Sequence, residues 1–229
     1  MVITAARFAK GMTFDEYLRF IASPANLARE GSAAPRRDWS DYFRKAYDAA
    51  RVPPAHTEAW RWLVAQPGGP ARVLAISEEW SSDCRRDIPI VARLADTAGL
   101  QLRIFTRDGQ TMGRAPFPQP DSPNADLMAD FLNRRDGETF QSIPIIAFYS
   151  KDFELLYHYT EFPTVYRKDR IRAAQNRPAP GETDAAAQAR SLKAFVEMLA
   201  SPFHEVWRSA ALDEWTSILY ERLLVGSLA

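Results

Sequence analysis

The order of apolar runs downstream of Pro70 constrains this chain more than any other feature. Arg72-Val73-Leu74-Ala75-Ile76-Ser77 is short and largely apolar, as a buried parallel strand requires. Asp83 to Ala98 follows with Ile88, Val91, Leu94 and Ala95 in helical register, and Leu100 to Phe105 reads as a second strand. Asp126 to Leu132 has a helical pattern. Pro144 to Tyr149 reads as a third strand, and Phe153 to Tyr159 as its antiparallel partner across the turn at Ser150-Lys151-Asp152. Strand, helix, strand, helix and hairpin, in that order, predict an α/β fold with a mixed central sheet flanked by helices.

Helical segments flank this core on both sides. Thr13 and Glu16 have the spacing of a capping box, in which each side chain satisfies the other's free backbone N–H, and Phe14, Tyr17, Leu18 and Ile21 then share one face. Pro24 limits that helix. A second helix opens at Asp38 with Trp39, Tyr42, Phe43, Ala46 and Tyr47 as its stripe, and a third carries Trp60, Leu63 and Val64. Gln66-Pro67-Gly68-Gly69-Pro70 is a linker by composition. Beyond Asn176-Arg177-Pro178-Ala179-Pro180-Gly181, Thr183 is placed to cap a helix burying Leu192, Phe195, Val196 and Leu199. Ser201-Pro202 opens a last helix whose inner face carries Phe203, Val206, Trp207, Ala210, Trp215, Ile218 and Leu219. The expected organisation is a helical extension over 1–70, the α/β domain over 71–164 and a second helical extension over 165–229.

Charge and composition exclude several functions. Twenty-nine basic residues balance twenty-nine acidic ones, so no overall positive field draws the chain to nucleic acid or anionic lipid. Arg167-Lys168-Asp169-Arg170 reads as solvated surface. The segment Met1 to Arg7 lacks the apolar core of a signal peptide, and no apolar run approaches the ~18–20 residues of a membrane span. A soluble, cytoplasmic protein is expected. With Cys84 the single cysteine and three histidines that form no ligand spacing, the sequence offers neither an internal disulfide nor a zinc site.

Trp80-Ser81-Ser82-Asp83-Cys84 sits where an apolar strand passes into a helix, and Ser142-Ile143-Pro144 opens another apolar strand downstream. Together they resemble the thioredoxin active site, a W-C-x-x-C at a helix N-terminus facing an Ile-Pro with a cis peptide bond. The chain looks closest to bacterial thioredoxin-like proteins with a W-C-G-D motif. Gly11 to Tyr17, Glu79-Trp80, Asp83, Asn124 to Met128 and Ser142-Ile143-Pro144 carry that likeness. It covers about Gly11 to Thr164 and implies a thioredoxin-like fold. It also implies a site in which Cys84 and Ser81 are the catalytic candidates. Trp80, Ser82, Asp83, Ile143 and Pro144 would bind substrate.

The departures from that family matter as much. The attacking position is Ser81, and Cys84 takes the resolving position one turn into the helix. The buried carboxylate that thioredoxins place five residues before the tryptophan corresponds to Ala75. A one-chain dithiol cycle is therefore excluded. Two readings stay open. In the first, a helix-terminal thiol of lowered pKa at Cys84 serves a monothiol or glutathione-linked reaction on a protein thiol or disulfide, with Ser81 donating to a bound thiolate. In the second, the fold is a redox-inactive protein-binding module, Ser81 is a plain N-cap and Cys84 a small buried residue. Arg107 to Pro123 is longer than the matching thioredoxin connection and leaves the sheet edge of the Trp80–Cys84 turn, so it is either a functional loop or a tolerated insertion.

Overall fold

The structure is a computed structural model that describes residues 3–31, 35–113 and 115–226, so residues 1–2, 32–34, 114 and 227–229 lie outside the described residues, Met1 and Val2 of the expected N-terminal segment and Arg114 of the long loop among them. A four-residue helix α1 (Ala5–Phe8) precedes α2 (Phe14–Ile21), where Thr13 and Glu16 form the expected capping box. Pro24 starts a new short helix, α3 (Pro24–Leu27), with Ser23 as its cap. Helices α4 (Ser40–Ala49) and α5 (Pro54–Ala65) complete the N-terminal set. Of the α4 stripe only Phe43 is fully buried; Tyr42 is exposed and Trp39 is the half-buried residue before the helix.

The central domain follows the expected order. Strand β1 (Pro70–Ile76) leads into α6 (Ser82–Ala98), which ends on Gly99 in the left-handed region at φ 72°, where glycine carries no steric penalty. Then come β2 (Gln101–Phe105), the long loop, and α7 (Ala125–Asp130). A small hairpin of β3 (Asn133–Arg135) and β4 (Glu138–Phe140) was not expected; Asp136 and Gly137 turn it with positive φ. Strands β5 (Ile145–Ser150) and β6 (Leu155–Thr160) close the sheet. Its order is β2-β1-β5-β6, with β1 parallel to β2 and both other pairings antiparallel, a mixed sheet of thioredoxin-like topology. All six residues of β5 are buried, as a central strand covered on both faces requires.

A 3₁₀ turn (Thr164–Tyr166) leads to α8 (Lys168–Asn176), α9 (Asp184–Leu199) and α10 (Pro202–Gly226). Helix α10 packs on α5, α6 and β6. It buries Trp207, Ala211, Leu212, Trp215 and Leu219, and the Trp215 ring meets those of Phe148 and Tyr159. The rest of the expected C-terminal stripe is corrected. Leu192, Val196, Phe203 and Val206 are all more than half exposed, and α9 buries only Ala187 and Ser191. The helical period is present there, but α9 packs mainly on α8: Phe195 and Leu199 are half-buried, while Leu192 and Val196 face solvent. Among the described residues no helix is long and apolar enough to cross a membrane.

Candidate functional site

The turn from β1 into α6 is built by its own polar groups. Ser81 is the N-cap: its backbone is extended and its Oγ accepts the Cys84 N–H at 3.4 Å. Arg85, one turn into the helix, reaches back so that Nη1 donates to the carbonyls of Glu79 at 3.0 Å and Trp80 at 2.7 Å. The Trp80 indole Nε1 donates to Asp108 at 3.0 Å, which fixes the ring against the start of the long loop.

Cys84 lies behind this turn and is fully buried. Burial pushes its thiol up to about 12, against the opposing hydrogen bonding of Ser81, the Glu78 backbone and Ser77. Its surroundings are hydroxylic: Tyr17 Oη and Ser77 Oγ are 2.9 Å apart in the core. Ala75 is buried in β1, so its position supplies no carboxylate to draw a proton.

In front of the turn lies a cleft of about 290 Å³. Trp80, Ser81, Ser82 and Asp83 form one wall, Ser142 and Ile143 another, and Glu161, Lys168 and Phe195 the side supplied by later elements. The Ile143–Pro144 peptide bond is cis, and Ser142 and Ile143 precede the β5 ladder, whose first paired residue is Ile145. Pro144 itself is buried and does not line the cleft, its carbonyl accepting the Glu161 N–H at 2.8 Å.

Lys168 is the residue that the sequence placed wrongly. Its neighbours Arg167, Asp169 and Arg170 are exposed, but Lys168 turns into the cleft and bonds Asp83 and, at 2.7 Å, Glu161. Burial alone would lower its pKa; the two carboxylates more than reverse this and hold it above the usual lysine value. Asp83 also accepts Arg86 Nη1 at 2.7 Å, and Arg86 holds Asp87 at 2.7 Å, so the first turns of α6 carry a buried ion-pair chain.

A second buried network ties the long loop to the same turn. Arg29 and Arg36 both meet Glu78 at 2.8 Å, Arg36 also meets Glu79 at 2.8 Å and Asp108 at 3.0 Å, and Arg107 meets Asp108 at 2.8 Å. Burial would raise the Asp108 pKa, but Arg107, the Gly113 N–H and the Trp80 indole together hold it below the usual carboxylate value. Glu78 goes the other way: burial and Asp108 raise it against the two arginines. Gln141 Nε2 pins the loop through the carbonyls of Ala115 at 2.8 Å and Phe117 at 3.0 Å. The loop therefore braces Trp80 and places Arg107 on the cleft.

Of the sequence candidates, Trp80, Ser81, Ser82, Asp83 and Ile143 share this one cleft, while Cys84 and Pro144 stand behind it. Sequence reasoning missed Arg85, Arg107, Glu161, Lys168 and Phe195 as cleft residues. Arg85 carried a local signal as a cation next to the motif, and Arg107 as the first residue of the long loop leaving the same sheet edge.

A protein-family model described as thioredoxin matches residues 36–174. No curated protein matches the chain. Among solved structures, a protein of unknown function from Pseudomonas aeruginosa is similar with a TM-score of 0.53 at 17% identity, over 96% of this chain and 98% of that one. A structure described as an HIV epitope-scaffold is similar with a TM-score of 0.52 at 16% identity, over 96% of this chain and 99% of that one. At such identities the likeness extends to the fold alone.

Proposed function

The chain belongs to the thioredoxin family, and from that premise we propose that it is a redox-inactive binding module whose cleft at Trp80–Asp83 and Ile143 holds an extended segment of a partner protein. The observation that carries this reading is Cys84. A thiolate is the nucleophile in disulfide exchange, and a fully buried thiol with its pKa pushed up to about 12 supplies almost none at neutral pH. The residue in the attacking position, Ser81, caps the helix and has no strong base beside it. What is left for a partner is shape, the polar wall of Ser82 and Ser142, and the charges of Asp83, Arg107, Glu161 and Lys168.

Within the family, the W-C-G-D proteins are the pattern this module follows most closely in our reading, with the first cysteine replaced. A monothiol or glutathione-linked reaction requires Cys84 to leave its burial first. The single unpaired cysteine also suits a reducing compartment, and we place the module in the cytoplasm. The test uses partner capture with two variants of the whole chain. Cys84→Ala is expected to retain the partners of the wild type, and Ser82→Trp, which fills the cleft mouth, to lose them. Partners held as mixed disulfides, absent from Cys84→Ala and released by dithiothreitol, would overturn the proposal.

A further inference from the structure

A second cavity, of about 230 Å³, shares Ser82 and Arg85 with the cleft but opens between α4 and the elbow of α9 and α10. Trp39 and Tyr42 line one side, Val196 and His204 the other. His204 is more than nine-tenths buried, and its imidazole has no hydrogen-bond partner among the described residues. Its polar edge lines the cavity and is free to bond what the cavity holds.

Arg85 supplies the charge. Its guanidinium lies 4.0 Å from the centroid of the Trp39 ring, and Nη1 is held by carbonyl oxygens. Among the described residues no carboxylate lies within ion-pair distance of it. Three other cations nearby are neutralised: Arg86 by Asp83 and Asp87, Lys168 by Asp83 and Glu161, and Arg208 by Glu205. The exposed Arg37 lies 4.2 Å from the centroid of the same Trp39 ring and adds to the positive charge on this side. Burial, together with Arg86, Arg208 and Arg85 and against Asp83, pushes the His204 pKa down to about 4, so the imidazole is neutral at physiological pH. The cavity thus carries the uncompensated positive charge of Arg85 at the first turn of a long helix, where the backbone dipole adds to it.

We propose that this cavity binds a small organic monocarboxylate with an apolar, flat body, its carboxylate on Arg85 and Ser82 and its body between Trp39 and Val196, with His204 as a hydrogen-bond partner. Arg85 is the cation on the cavity wall, and a single carboxylate is its match. The volume is below the roughly 300–1,000 Å³ of pockets for drug-sized ligands, so the occupant is small. The inference does not rest on the reading of the neighbouring cleft, although the two spaces share Ser82 and Arg85.

The experiment is a titration of the full chain with phenylacetate, read by side-chain NMR of its three histidines, with His204 assigned by its loss in His204→Gln. A saturable shift of His204 alone, at millimolar concentration or below, is expected. Phenylacetamide, the neutral analogue, is expected to leave it unmoved. Arg85→Gln is expected to weaken binding roughly tenfold or more, since it removes a charge-assisted pair. Val196→Trp, at an exposed position that lines the cavity, is expected to abolish the shift with an unchanged melting temperature, which guards against a misfolded Arg85 variant. No saturable shift, an equal response to phenylacetamide or to sodium chloride, or full binding by Val196→Trp would each overturn the proposal. Val196 does not line the cleft, so the Val196→Trp result separates a failure here from a failure of partner capture.

Discussion

The Oγ of Ser81 accepts the backbone N–H of Cys84 at 3.4 Å, so the side chain in the attacking position of a dithiol motif is committed to capping the helix that hides the only thiol. Position 81 is therefore where a second thiol can be introduced beside Cys84. Ser81→Cys is expected to form an intramolecular disulfide with Cys84 and to raise insulin-disulfide reduction with dithiothreitol from a negligible wild-type level. The lost cap costs about 1 kcal/mol. A variant that cannot close this disulfide would show that the two positions are not the paired positions of the motif.

Lys168 bridges Asp83 and Glu161 across the cleft, joining the first turn of α6 to the segment beyond β6. Lys168→Met leaves two carboxylates facing each other with less compensation. A loss of about 1–3 kcal/mol is expected in urea denaturation at neutral pH. The sign of its pH dependence follows from a pKa raised above the unfolded lysine value of 10.5: the contribution is complete below that pH and is lost as pH rises above it. Wild type and Lys168→Met should therefore converge in stability in strong alkali.

The C-terminal helices divide into an essential part and a dispensable face. Trp215 is fully buried between Phe148 and Tyr159, so Trp215→Ala is expected to cost about 3–5 kcal/mol. Leu192→Ser, on the exposed face of α9, is expected to stay within about 0.5 kcal/mol of wild type. Truncation after Thr164 strips α10 from β6 and should cause aggregation. A soluble truncated chain with an unchanged melting temperature would contradict this division.

The contrast shows what could be read in the residues. Strands β1, β2 and β5 and helix α6 were legible because each is apolar at its own period and flanked by turn residues. The β3–β4 hairpin was not: each strand has three residues, two of them charged at Arg134-Arg135 and one at Glu138, and its only signal was Asp136-Gly137, the pair that hairpin turns favour. In α9 the period was correct, but a stripe does not say whether a core exists for it to face. Lys168 was read from neighbours that do point to solvent. Its place in the cleft depends on where the chain returns after β6, which no local pattern encodes. The same holds for Arg29 and Arg36, which reach Glu78 from far upstream. The site motif was legible as a motif, and the full burial of Cys84 was left open.

His204 gives a separate electrostatic check. Its imidazole is expected to titrate near 4 in the folded chain, against an unfolded value of about 6.5. Because the folded value is the lower one, the unfolded state binds the extra proton first, and stability falls as pH drops from about 6.5 towards 4. The loss from this group is roughly 2–3 kcal/mol, and His204→Gln should lack it. A His204 resonance titrating near 6.5 would remove the electrostatic picture of that cavity.

Alkylation of Cys84 as a function of pH tests the central claim most directly. The account predicts negligible reaction of the native protein with iodoacetamide at neutral pH, a rate that climbs only in strong alkali as a thiol of pKa about 12 ionises, and rapid reaction once the chain is unfolded in urea. A native rate that titrates well below the free-cysteine value of ~8.5 would contradict it, and would identify Cys84 as an active monothiol.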